Sequence, residues 1–112
     1  MSVNAGRLDQ RITLQEPVQT RQPSGEVTKA WADVATVWAS ADPKRGAEYF
    51  AALQMQAEGP VMFRIRWRSG VLPTWRVIWR SANYDIASPP VDAYGMKESL
   101  DLYCVTGVRD GR

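Results

Sequence analysis

The chain has 112 residues, with 14 Lys and Arg against 12 Asp and Glu and no histidine, giving a formal charge of +2 and the size of a single domain. The absence of histidine removes the commonest general base, the commonest zinc ligand and both the Ser-His and Cys-His forms of nucleophilic catalysis. One cysteine, Cys104, excludes an intramolecular disulfide.

Residues 1–10 carry charges and no apolar stretch of the secretory type, so synthesis in a reducing cytosol is expected. Arg11-Ile12-Thr13-Leu14-Gln15 then alternates polar and apolar, the period of a half-buried strand, which predicts a first strand over residues 10–16. The segment 19–28 is almost devoid of apolar residues and has Pro23, Ser24 and Gly25 at its middle, a composition that predicts a turn or long mobile loop. Trp, Val and Thr recur from Trp31 to Ser40 and fit a pleated surface, predicting a second strand over 32–40.

Asp42 is suited to capping orphan N–H groups and Pro43 to the first helical position, so a helix is predicted to start there and to stop at Gly59-Pro60. Ala47, Phe50, Leu53 and Ala57 would form its apolar stripe, with Gly46 a weak point. Val61, Phe63, Ile65 and Trp67 alternate with Met62, Arg64, Arg66 and Arg68, and Trp75, Val77 and Trp79 alternate with Arg76, Ile78 and Arg80. Two strands, 61–68 and 74–80, are expected to pair as a hairpin with the apolar residues inward. A short strand at 84–86 ends at Pro89-Pro90, and a last strand over 98–106 turns Leu100, Leu102 and Cys104 to one side. The predicted fold is mainly β: a small antiparallel barrel or sandwich of about six strands with one short helix after the second strand. One domain covers 1–112, with flexible ends at about 1–8 and 107–112. No apolar run reaches the ~18 residues of a membrane span.

Residues 61–80 hold Arg64, Arg66, Arg68, Arg76 and Arg80 and no acid; without them the chain carries nine basic against 12 acidic side chains. Such a stripe suits contact with phosphates or an acidic protein surface, and equally a solvated sheet face. Of the five Trp residues, Trp67, Trp75 and Trp79 are assigned to the core, and Trp31, beside the polar segment, is the candidate interface anchor. Cys104, on the Leu100–Leu102 face, reads as a small buried hydrophobe. No carboxylate spacing matches a metal loop or an acid–base pair, and no phosphate-binding or nucleophile-elbow motif is present. Neither a catalytic residue nor a cofactor is expected.

The order of Ala5-Gly6-Arg7-Leu8-Asp9-Gln10-Arg11-Ile12, the Gly25 turn before Trp31, Val37-Trp38-Ala39-Ser40 with Pro43 and Gly46-x-Glu48, Phe63-Arg64-Ile65-Arg66, Trp75-Arg76-Val77 and Tyr84-Asp85-Ile86 resembles the phage head-tail joining (head closure, or stopper) family. The resemblance spans about Gly6 to Cys104. It implies a non-enzymatic virion protein: a ring docked beneath the portal and adaptor, closing the channel over packaged double-stranded DNA and offering a surface to tail proteins. It further implies assembly in the host cytoplasm and a chain that is monomeric when isolated. A gate would fall at about Asp42 to Gly59, with Pro43, Lys44, Arg45, Gly46 and Glu48 as its candidate residues. The residues alone leave a rival, a nucleic-acid-binding barrel of the OB type in which Arg64, Arg66 and Arg68 track phosphates.

Overall fold

The structure is a computed structural model and describes residues 8–92 and 95–106. The terminal segments expected to be flexible lie outside the described residues except Leu8, which is buried. The elements are β1 (Gln10–Arg21), β2 (Val27–Asp42), α1 (Pro43–Ala52), β3 (Val61–Arg66), β4 (Arg76–Trp79), β5 (Ala82–Ile86) and β6 (Ser99–Thr106). All pairings between strands are antiparallel, and the order β1-β2-β3-β6-β5-β4 closes into a ring through β4 and β1. This is the expected mainly-β architecture of six strands and one helix, closed rather than layered as a sandwich.

Period-2 alternation sets the register. Ile12, Leu14, Phe63, Ile65, Val77, Ile86, Leu100, Leu102 and Cys104 are all buried inside the ring. Phe63 has the Trp79 and Tyr84 rings edge-on at 5.4 and 5.6 Å, the arrangement that aromatic quadrupoles favour.

The segment expected to be a mobile loop is instead a two-stranded ribbon. β1 and β2 stay paired out to Arg21 and Val27, and a tight turn closes them, with Gln22 N–H donating to the Glu26 carbonyl at 2.6 Å and Gly25 N–H to the Gln22 carbonyl at 2.9 Å. Gly25, at φ +88°, supplies the left-handed residue this turn requires. The ribbon projects from the ring and is solvated on both faces, so its polar composition resembles that of a loop while its backbone ladder makes it a sheet. A bulge at Val34 separates the Leu14–Ala35 and Gln15–Asp33 pairs and re-aims the projecting part.

Asp42 caps α1 by accepting the Arg45 N–H at 2.9 Å, as expected. The helix ends at Ala52, well before Gly59-Pro60, and its buried residues are Gly46 and Phe50. The predicted stripe fails because Ala47 and Leu53 are exposed; the helix lies flat on β3 and β6 along Gly46, Tyr49 and Phe50. Tyr49 stacks on Tyr103 of β6 at 3.8 Å. A Cβ on Gly46 would lie 2.8 Å from the Val61 backbone, so this glycine marks a close helix–strand approach rather than a weak point.

The strands carrying the arginines do not form a hairpin. β3 pairs with β2 and β6, and β4 with β1 and β5, which puts them on opposite sides of the ring. Trp67 prolongs the β3–β6 pairing by donating its N–H to the Glu98 carbonyl, and the connection then runs through Gly70 to the buried Trp75 before β4. The β4–β5 hairpin turns on Arg80 and Ser81, both left-handed at φ 53° and 63°, the geometry of a type I′ turn built without its usual glycine.

Candidate functional site

Alternation turns the even-numbered β3 residues outward, and there the first arginine is absorbed by the fold. Arg64 faces Asp101 across the β3–β6 ladder, donating from Nε to Oδ1 at 2.7 Å and from Nη2 to Oδ2 at 2.9 Å. Asp101 is only 3% exposed, and its backbone is bridged to Val91. The absence of acids in residues 61–80 therefore hid a partner 37 positions away.

Arg76, on the opposite wall, lies over the Trp31 ring at 4.4 Å and donates from Nε to Gln15 Oε1 at 2.7 Å. Gln15 in turn donates to Asp33 Oδ1 at 2.6 Å. Trp31 is accordingly half-buried under a guanidinium at the root of the ribbon. Arg80 covers the adjacent Trp79 ring at 4.5 Å and is exposed at the β4–β5 turn.

Arg66 and Arg68 remain near one another. With Val37, Trp38 and Trp67 they line a cleft of about 310 Å³, and Trp38 and Arg66 border a second recess of about 490 Å³ with Leu8 and Asp9. Among the described residues neither arginine has an ion-pair partner, and Arg68 Nε is buried without an acceptor. Trp38 is 51% exposed, with the Arg11 guanidinium 4.7 Å from its ring centre. The fold thus divides the five predicted arginines into Arg64, Arg66 and Arg68 on one wall and Arg76 and Arg80 on the other.

Trp38 is the surface residue that reading the sequence missed. The signal was available: with Val37 and Ala39 inward, strict alternation sends Trp38 out. The other sequence candidates, Pro43, Lys44, Arg45, Gly46 and Glu48, form the first turns of α1, where Lys44, Arg45 and Glu48 are exposed and Gly46 is buried. Cys104 is fully buried, and burial, with the nearby Asp85 carboxylate adding to it, pushes its thiol far above the ordinary range. Among the described residues no cluster could hold a metal ion, and no helix is long and apolar enough to cross a membrane.

A surface with one exposed tryptophan, unpaired arginines and a closed apolar interior points to association. The family model of the phage head completion protein matches residues 3–107. The chain belongs to the phage head completion protein family. This agrees with the head-tail joining resemblance seen in the sequence and makes the protein a structural component of the phage head. The solution structure of protein SF1141 from Shigella flexneri 2a is 31% identical, covers 96% of this head completion protein and all of its own chain, and superposes with a TM-score of 0.78. A chain in the virion of a native gene transfer agent particle is 13% identical over 86% of this chain and 91% of its own, with a TM-score of 0.59, and so shares the fold. Among curated proteins there is no match.

Proposed function

We propose that this head completion protein docks as a ring of subunits beneath the portal and adaptor, closes the DNA channel after packaging and presents the surface to which the tail attaches, without catalysing a reaction. The observation that carries this reading is the family match over residues 3–107; the similar fold of a chain in a gene transfer agent virion supports it. Arg66, Arg68 and Arg80 supply contacts to an acidic partner surface or to DNA, while Arg64 and Arg76 brace the walls and Trp31 anchors the root of the ribbon. The first turns of α1, with Lys44 and Arg45 exposed, form the channel-facing segment. The isolated chain is monomeric and closes its ring only on the portal template.

The free-standing nucleic-acid barrel is the weaker reading, because Arg64, the first of its three phosphate-tracking arginines, is held by the buried Asp101 carboxylate. Complementation of a phage lacking this gene tests the proposal, scoring DNA-filled heads and joined tails by electron microscopy. Heads of the deletion phage should lose DNA and lack tails, and the wild-type gene should restore both. Normal numbers of tailed, filled heads without the gene would overturn it.

A further inference from the structure

Among the described residues no strand lies beside one edge of β2 from Val27 to Trp38, because β3, which pairs with β6 over its whole length, pairs with β2 only at Ala39–Asp42. The other free edge of the ribbon belongs to β1, which pairs with β4 only at Thr13–Gln15. That edge carries Pro17, a residue that blunts strand addition. β2 has neither Pro nor Gly along its whole length. The bulge at Val34 interrupts this edge, leaving Ala35–Trp38 as the regular, unblunted stretch nearest the ring.

The 310 Å³ cleft opens where the two strands part, between Val37 and Trp38 on one side and Arg66, Trp67 and Arg68 on the other. Its apolar depth is formed by the half-buried Val37 and Trp67, and its rim by arginines without ion-pair partners among the described residues. A short extended segment entering there would continue the interrupted ladder, with alternate side chains pointing to opposite faces. The inward ones would meet Val37 and Trp67, and the outward ones Arg66 and Arg68.

We propose that the Ala35–Trp38 edge of β2 accepts a strand from a partner protein, an extended segment alternating apolar and acidic residues, which seats its carboxylates on Arg66 and Arg68 and extends the β2 ladder beyond the closed ring. That the donor is another virion protein rests on the connector reading; the acceptor site does not. Main-chain hydrogen bonds supply affinity in such strand addition, and the alternating side chains supply specificity.

The probe is a capped peptide alternating valine and glutamate, titrated into the full chain, with hydrogen exchange read residue by residue. The peptide should slow exchange of amides in Ala35–Trp38, and a valine–lysine peptide of equal length should not. The double variant Arg66→Glu with Arg68→Glu should weaken binding at least tenfold, and Arg66→Lys with Arg68→Lys should retain most of it. Three outcomes would each overturn the site: no peptide-dependent protection in the wild-type chain, equal binding by the charge-reversed variant, or tighter binding of a single-stranded oligonucleotide of the same charge at this cleft. Protection of the same amides without peptide, rising with protein concentration, would assign the edge to a second copy instead. Because no phage is involved, a negative result here leaves the complementation test of the connector role standing on its own.

Discussion

Arg64 and Asp101 meet across the β3–β6 ladder as a two-pronged ion pair whose carboxylate is almost fully enclosed, at 4% side-chain exposure. Their placement ties the strand that follows α1 to the last strand of the chain. An arginine fork matches a carboxylate in a plane, which lysine cannot do.

Truncating Arg64 to Ala strands a buried carboxylate. The expected cost is about 3–5 kcal/mol, read as a fall in the urea midpoint at pH 7. Arg64→Lys should recover only part of the loss. A midpoint unchanged by Arg64→Ala would mean that the pair contributes nothing to the fold.

Gly46→Ala places a methyl group against the Val61 backbone, where neither α1 nor β3 has a flexible side chain to yield. Overpacking of this kind costs about 1–3 kcal/mol, although alanine is the better helix former. The variant should melt below the wild type and lose the Tyr49–Tyr103 stacking, visible as a change in near-ultraviolet circular dichroism.

Cys104 makes stability depend on alkaline pH. Its thiol is held well above its unfolded value by burial, so the folded state stays protonated where the unfolded state ionises. Stability is therefore intact below about pH 8.5 and falls by roughly 1.4 kcal/mol per pH unit above it. Tyr103, also raised, chiefly by burial, adds a loss of the same sign from about pH 10. Urea titrations at pH 7.5 and 9.5 should show the fall in the wild type and a smaller one in Cys104→Ala. Thiol reagents should label Cys104 only after unfolding.

Ser81→Gly relieves a left-handed residue at the β4–β5 turn. The strain of a side chain there is about 1–2 kcal/mol, and added freedom of the unfolded chain takes back about 0.4–1 kcal/mol. A rise in the melting temperature is the expected result, and a fall would show that the Ser81 side chain stabilises the turn.

Short-range period was what the sequence expressed most clearly. The inward faces of β3, β4 and β6, the Asp42 cap and the buried Cys104 all follow from alternation or from local capping chemistry. Partnership between strands was illegible, because the succession of two alternating segments, 61–68 and 74–80, suggested a hairpin, whereas β3 and β4 each pair with other strands. With that pairing went the shared arginine face. The ribbon was lost for another reason: both its faces meet water, so segment 19–28 shows no apolar alternation to betray the ladder. Trp31 is half-buried rather than open because Arg76, remote in sequence, covers its ring, while Trp38, to which no role was assigned, is the exposed tryptophan.

Ring closure rests on the short seam between β1 and β4, where only Thr13, Leu14 and Gln15 find partners, with Gln15 and Arg76 lying 61 positions apart in sequence. The β1–β2 ladder, closed by a local turn, can form on the microsecond scale typical of hairpins. The seam must wait until the intervening chain has been gathered, since loop-closure entropy has to be overcome before distant contacts contribute. The seam is therefore expected to be the last pairing to form, and its opening to precede loss of the ribbon. Such opening would lift β4 away from β1 and hydrate Leu14 and Val77 while the ribbon stays intact.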